Sequence, residues 1–339
     1  MSWIADRIGR LAAALSLALA ATAGTAPVRA LEQATVAIPT VSPLYVILDV
    51  AEDRGFWQKH GVGLKTIDVP GVGAVNAVIS GSVEFAASAA ASPLRAARSG
   101  QHLLVIATLA DRIFVQIVLR RSIAQSAGFD PKASLAQRAR LLRGRTIAVE
   151  SIGGAANVYL RLIAAQGKLT ENDVTIAPML PSSMEAAFAS HAVDGFVAGP
   201  PYSVVPVQDG TGIVLASGPN GDPANMVPFG YIVMVTRPGL CVERRALCFG
   251  IGGALKEAAS FVADHPGDAA ASVRKRFPNL SDAVFQATME AVFRAVPRSP
   301  VTTASVLDHA DLFNIAAGLT KAEDKRASYE DLFTNEYVQ

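Results

Sequence analysis

The residues of this chain able to do acid–base or metal chemistry are dispersed. Five histidines, His60, His102, His191, His265 and His309, stand far apart in 339 residues, with none of the close spacings that hold a metal ion. None neighbours a cysteine or an arrangement of serine and acid suited to nucleophilic attack, so each reads as a surface residue, and Glu185 and Asp194 read as solvated helix and turn charges. No metal, cofactor or catalytic residue is expected. Gly153-Gly154 and Gly71-Val72-Gly73 lack the spacing and the acid of a nucleotide-binding G-x-G-x-x-G. What recurs instead is a set of loops made of small residues: Pro39-Thr40-Val41-Ser42, Gly71-Val72-Gly73, Ser88-Ala89-Ala90, Ser151-Ile152-Gly153-Gly154, Pro181-Ser182-Ser183 and Gly199-Pro200-Pro201-Tyr202. Such loops let backbone approach a guest, and free N–H groups at helix starts favour an anionic group. Val41, Val72, Ala89, Ala90, Ile152, Pro200 and Pro201 make the same loops apolar. The expected guest is a small organic carboxylate or sulfonate with an apolar body.

The candidate contacts are Thr40, Ser42, Gly71, Gly73, Ser88, Ala89, Arg112, Ser151, Gly153, Gly154, Ser182, Gly199, Pro200, Tyr202 and Phe229. Arg112 is the basic residue positioned to pair with an anion, its other reading being a surface residue, and Tyr202 and Phe229 are aromatics that could stack on the guest or donate a hydroxyl, their other reading being core packing. Ser42, Ser88 and Ser182 have a second reading as helix caps.

Positioning these loops requires a repeated scaffold, and one is legible. Thr35-Val36-Ala37-Ile38-Pro39 answers Thr146-Ile147-Ala148-Val149-Glu150, both β-branched runs of strand length. Helical spacing follows each, over 43–54 and 154–166, with Gly55 and Gly167 where left-handed C-caps belong. Thr66–Pro70 then corresponds to Thr175–Pro178, and Val83-Glu84-Phe85-Ala86 to Val193-Asp194-Gly195-Phe196. Alternating strands and helices build mostly parallel sheets through right-handed crossovers, so two α/β units are predicted, with the guest beyond the carboxyl ends of their strands. Two long strand-like runs, 112–119 and 231–236, join the units and imply a hinge. The predicted division is a first lobe of residues 31–117 plus 232–339 and a second lobe of 118–231. The last third, from about Leu255, reads as helices cladding the first lobe, with breaks at Pro266-Gly267 and Pro278-Asn279 and Ser281 as a cap.

The amino terminus has the pattern of a secretory signal. Arg7 and Arg10 precede an apolar run from Leu11 to Ala21, and Val28-Arg29-Ala30 offers small residues for a cut after Ala30. The run is too short for a span of ~20 residues. Removing Arg7, Arg10, Arg29 and Asp6 takes the formal charge from +1 to −1, which leaves no basic footprint for nucleic acid. Cys241 and Cys248, seven apart, could close a small loop in an oxidising compartment. If the residues between them are helical, their sulfurs stand about 10 Å apart and remain free buried thiols.

The run Ala51-Glu52-Asp53-Arg54-Gly55-Phe56-Trp57-Gln58-Lys59-His60-Gly61-Val62 resembles the opening segment of the solute-binding proteins of ABC importers for nitrate, sulfonates and taurine. Leu142-Arg143-Gly144-Arg145-Thr146-Ile147-Ala148-Val149 is similar to their second-lobe opening. Ala77–Phe85, with its echo at Ala187–Phe196, resembles their small-helix, glycine, valine-acid phrase. The likeness implies a periplasmic binding protein of type II, with two Rossmann-like α/β lobes joined by two crossover strands. It further implies a periplasmic monomer that closes on a small-molecule ligand and delivers it to an ABC permease in the inner membrane. A thiamine-pyrimidine-synthase-like enzyme is the alternative, since Leu247-Cys248-Phe249-Gly250 faintly resembles part of that group's cysteine-rich cluster. A solute sensor for a membrane receptor is another.

Overall fold

A computed structural model describes residues 30–339, so the expected signal segment lies, except for Ala30, outside the described residues. The chain from Glu32 to Gln339 forms one compact unit. It runs β1 (Glu32–Ile38), α1 (Val46–Asp53), α2 (Phe56–Lys59), β2 (Val62–Asp68), α3 (Gly73–Ile79), β3 (Phe85–Ser88), α4 (Ala91–Arg98), β4 (Leu104–Ala110) and β5 (Gln116–Arg120). Next come α5 (Arg121–Ser126), α6 (Leu135–Ala139), β6 (Arg145–Val149), α7 (Ala155–Gln166), β7 (Val174–Pro178), α8 (Pro181–Ala189), β8 (Gly195–Ala198), α9 (Val205–Gln208), β9 (Gly212–Ser217) and β10 (Ile232–Thr236). Helices α10 (Pro238–Glu243), α11 (Arg245–Asp264), α12 (Pro266–Arg274), α13 (Asp282–Ala295) and α14 (Ala304–Ala316) complete it.

Two five-stranded sheets result, ordered β2-β1-β3-β10-β4 and β7-β6-β8-β5-β9. In each, three parallel strands from one repeat are followed by an antiparallel strand that has come from the other half of the chain. The period-two alternation of a strand explains why both sheet faces are apolar. Val36 and Ile38 join one buried cluster with α1 and α11, while Ala37 between them joins another. Ile117 and Leu119 of β5 likewise face one cluster and Val118 the next.

The valine-acid phrase has a structural cause. Glu84 Oε2 accepts the Thr35 N–H at 2.8 Å, and Asp194 Oδ2 accepts the Thr146 N–H at 2.9 Å. Each acid therefore anchors the first strand of its own repeat beside the third. Asp194 is thus a partner of the backbone rather than a solvated turn charge. His60 and His309 also depart from the surface reading: each is half-buried, His60 Nε2 lying 2.8 Å from Glu257 Oε2 and His309 Nδ1 2.6 Å from the Pro228 carbonyl.

Local boundaries follow the sequence with three informative differences. Gly55 takes the left-handed conformation at φ +69°, but Gly167 does not (φ −81°), and Lys168 takes it instead at +58°. Glycine is needed at 167 because a Cβ there would sit 3.0 Å from Arg140 N. The third strands begin two residues later than predicted, at Phe85 and Gly195, because the acids before them are spent on the bonds above. The terminal helices do more than clad the first lobe: α13 touches α9, and α14 touches α7. The Ser281 hydroxyl caps α13 by accepting the Val284 N–H, as predicted.

Cys241 and Cys248 are bonded. The long-helix alternative fails because the backbone breaks at Arg244 (φ −121°, ψ 57°), between α10 and α11, which brings the two Cα atoms to 5.5 Å. The break is held by the Arg244 guanidinium, which donates to Glu32 Oε2 at 2.8 Å and to the Gln33 carbonyl at 2.7 Å. By loop-closure entropy, a bridge across a separation of seven residues is worth about 2.5 kcal/mol. The Cys241→Ser, Cys248→Ser variant is expected to melt about 4 °C lower, given the unfolding entropy of a chain this size. An unchanged melting temperature by calorimetry would show that the bridge closes nothing.

Candidate ligand cleft

The pairing registers fix where the two sheets face each other. β4 ends at Ala110 opposite Ile232, where β10 begins, and Val233 pairs with Ser88 at the carboxyl end of β3. In the second sheet Gln116, where β5 begins, pairs with Ala198 at the carboxyl end of β8 and with Ser217 at the end of β9. The two connections, residues 111–115 and 218–231, therefore leave and enter both sheets at the edge where the parallel strands end. The loops after β1, β2, β3, β6, β7 and β8 consequently border the groove between the two edges, which is the site expected for this topology.

Those loops carry five of the eleven large apolar side chains that are exposed among the described residues. Val41, Val72, Ile152, Leu180 and Tyr202 are 49, 63, 70, 66 and 41% exposed, one after each of β1, β2, β6, β7 and β8. Large apolar side chains held in water on one rim mark a binding surface.

Most of the residues singled out in the sequence sit on this rim. Thr40, Gly71, Ala89, Ser151, Ser182 and Tyr202 are exposed there, and Ser42, Gly73, Gly153, Gly154 and Gly199 are half-exposed. Ser88, Pro200 and Phe229 are buried instead. Phe229 is 2% exposed, its ring packed on Phe313 at 5.2 Å and Tyr231 at 6.3 Å. Ser42 caps the turn at Pro43, its hydroxyl accepting the Leu44 N–H at 3.3 Å, and Asn157 Oδ1 accepts the Gly153 N–H at 3.0 Å. Two of the backbone donors that could have greeted an anion are thereby occupied. Gly154 lies so close to Ser151 that a Cβ would stand 2.4 Å from its hydroxyl.

Arg112 lies in the first connection and reaches across to the second, donating from Nη1 to the Pro219 carbonyl at 3.5 Å. Its Nε is buried without a hydrogen-bond partner, 4.0 Å from Asp111 Oδ1. Burial raises the Asp111 carboxyl above its ordinary range, against the opposing pull of Arg112.

Four groups not singled out from the sequence lie in the same loops and connections. Tyr45, in the turn after β1, is 3% exposed. Burial raises its phenol, and Tyr231 and then Asp68 raise it further. Burial pushes the Tyr231 phenol up to about 12, with Glu150 adding to the shift. Asp68 closes β2 and Glu150 follows β6 directly, so each phenol is raised further by a carboxylate at the end of a parallel strand. Their signal in the sequence was position alone, since each carboxylate ends or follows a strand next to a small-residue loop.

Other hollows lie elsewhere. One of about 530 Å³, lined by Phe129, Arg138, Arg140 and Arg145, opens where β6 begins, the end of the sheet away from the cleft. Among the described residues no group of three His, Cys, Asp or Glu side chains could hold a metal ion.

A model of the NMT1-like family matches residues 24–220. No curated protein sequence matches the chain. Among solved structures, the alkanesulfonate-binding protein of Xanthomonas axonopodis pv. citri bound to MOPS superposes with a TM-score of 0.62 at 18% identity, covering 86% of this chain and 96% of that one. The periplasmic aliphatic sulphonate binding protein of Escherichia coli gives 0.64 at 17%, covering 85% and 86%. The periplasmic nitrate-binding protein of Synechocystis PCC 6803 gives 0.58 at 14%, covering 87% and 83%. At these identities the likeness is one of fold: two α/β lobes joined by two crossovers.

Proposed function

The chain belongs to the NMT1-like family, and from that premise we propose that it is an exported solute-binding protein, not an enzyme, which captures a small organic molecule between its lobes and passes it to an ABC importer in the inner membrane. The observation that carries this reading is the ring of five exposed apolar side chains, one after each of five parallel strands, around a groove entered by both lobes. A guest with an apolar body removes those side chains from water, at about 25 cal/mol per Å² buried. Contacts made to both lobes at once favour the closed form, since a ligand shifts the equilibrium only by its differential affinity. The hinge is assigned to 111–115 and 218–231, and closure slides α7 and α9 past α14 and α13. Residues 1–30 direct export and are removed, and the mature protein works in the periplasm as a monomer. The solved relatives named for sulfonates and nitrate support the transport role.

A thermal-shift series over sulfonates, aromatic and aliphatic carboxylates, amines, pyrimidines and amino acids tests the proposal. A compound at 100 times its dissociation constant adds about 2.7 kcal/mol of stability. X-ray scattering with the compound that shifts most is expected to give a smaller radius of gyration. An unchanged radius at saturation would remove hinge closure.

A further inference from the structure

The second lobe carries a hollow of its own, apart from the cleft. It measures about 530 Å³ and is lined by Phe129, Asp130, Arg138, Arg140, Arg143 and Arg145 among others. That volume falls within the roughly 300–1,000 Å³ of small-molecule sites. The chain brings its four arginines here within the eight residues 138–145. Arg138 lies in the last turn of α6, Arg140 opens the tight turn that follows, and Arg145 begins β6. Gly144, between Arg143 and Arg145, takes the left-handed conformation at φ +69° that this reversal requires. Phe129 and Asp130 close the hollow from the loop after α5. Along β6, the four steps of about 3.3 Å from Arg145 to Val149 separate it from the cleft edge by about 13 Å.

Two of the four bases are committed. Arg138 donates to both Asp222 oxygens, at 3.3 and 3.4 Å, and from Nε to the Ala133 carbonyl at 3.2 Å, while Arg143 pairs with Asp173. The other two are free. Among the described residues, only Arg140, Arg145 and Arg237 have a guanidinium with neither an ion pair nor a hydrogen bond, and two of those three line this one hollow. Arg145 is half-buried, and its Nε is enclosed without a partner although a buried donor ordinarily finds one. Asp130 is the one acid in the lining, and its Oδ1 already accepts the Lys132 N–H at 2.8 Å. Set against Asp130, Asp173 and Asp222, the four arginines still leave an excess of one positive charge. A guanidinium offers a planar fork of N–H donors that pairs bidentately with carboxylate or phosphate. Two free forks call for more oxygens than a carboxylate has, and a phosphate monoester supplies three with a charge of about −1.5 to −2.

We infer that this hollow is a second ligand site, taking a small phosphate monoester whose phosphoryl group is held by Arg140 and Arg145 and whose organic part lies against the half-buried Phe129. Arg138 and Arg143, already paired, form its walls and add to the positive field. The site shares no residue with the loops that border the cleft, so it stands or falls apart from the solute-binding role proposed above. A free ester and the head group of a phosphatidic acid present the same phosphoryl chemistry to it.

Calorimetric titration of the mature chain with phenyl phosphate tests this, with benzoate as the matched carboxylate. Phenyl phosphate is expected to bind at least tenfold more tightly than benzoate. Arg140→Gln and Arg145→Gln are each expected to weaken it at least tenfold, while Tyr202→Ala, which reports binding in the cleft instead, leaves it unchanged. Arg140 is exposed and unpaired, so its variant should melt as the parent does and still decides the matter if Arg145→Gln folds poorly. Flotation with phosphatidylcholine vesicles containing phosphatidic acid then separates the two sources. Capture that Arg140→Gln abolishes identifies a lipid head group, and no capture identifies a free ester; either outcome supports the site. Absence of phenyl phosphate binding, equal binding of benzoate, binding unmoved by both arginine variants, or binding lost in Tyr202→Ala would overturn the inference and leave solute capture in the cleft untouched.

Discussion

Alanine in place of Asp311 is expected to lower the stability of the folded chain by about 3–5 kcal/mol, the cost of leaving a buried ion pair half empty. Asp311, on α14, is 0% exposed. Its Oδ1 accepts from Arg98 Nη2 at 2.5 Å, and its Oδ2 accepts the Tyr329 hydroxyl at 3.0 Å and the Arg326 N–H at 3.2 Å. Three parts of the chain thus meet on one carboxylate: α4 of the first repeat, α14, and the tail that follows it. Removing it strands a guanidinium that is only 21% exposed and whose Nε already has no partner. Asparagine keeps the shape and one acceptor but loses the charge, so its cost should be nearer the 1–3 kcal/mol of a broken buried hydrogen bond. Urea unfolding of both variants checks the order. A loss below about 1 kcal/mol for alanine would show that the pair's desolvation cancels its attraction.

The scaffold was legible because its signals are local. β-branched runs and helical spacing report how a few neighbouring residues pack, and the repeat doubled each signal, so both parallel triplets were predicted. The helix break at Arg244 was not, since no proline or glycine marks it. It is fixed by Glu32 and Gln33, more than two hundred residues away in sequence. The site was half legible for a related reason. Loops ending in glycine and serine advertise themselves by composition, and they follow the parallel strands. Asp68 and Glu150 look in sequence like any acid at a strand end, and Tyr45 looks like core. Their placement comes from the registers that put the ends of β2 and β6 on the sheet edges that the two connections join. Serine and glycine donors suggested an anion only while their partners were unknown. With Ser42 and Asn157 satisfying nearby N–H groups, two of those donors are already occupied.

Gly218→Ala is expected to cost about 3 kcal/mol or more, at or beyond the usual upper limit for overpacking, and to blunt ligand-induced closure. Gly218 follows β9, where the second connection leaves the sheet, and its N–H donates to the Val115 carbonyl at 3.0 Å. A Cβ there would stand 2.2 Å from the Ile113 carbonyl oxygen and 3.0 Å from that of Val115. Both are backbone atoms, so no rotamer change relieves the clash. Gly199 presses on the same connection, its Cβ position 2.8 Å from the Phe114 carbonyl oxygen. The first connection is therefore gripped by glycines on either side, and a methyl group must spread the two connections apart. If the hinge proposed for these segments operates, the spread should also alter the angle between lobes. The prediction pairs a lower melting temperature with a smaller change in radius of gyration on binding. Gly267→Ala is the control, because it lies in the first turn of α12 with nothing within 4 Å of the added atom. Helix propensity there predicts a gain of up to about 1 kcal/mol. If Gly218→Ala melts as the parent does and closes fully, the two connections are not packed against each other as described, and the hinge must be sought elsewhere.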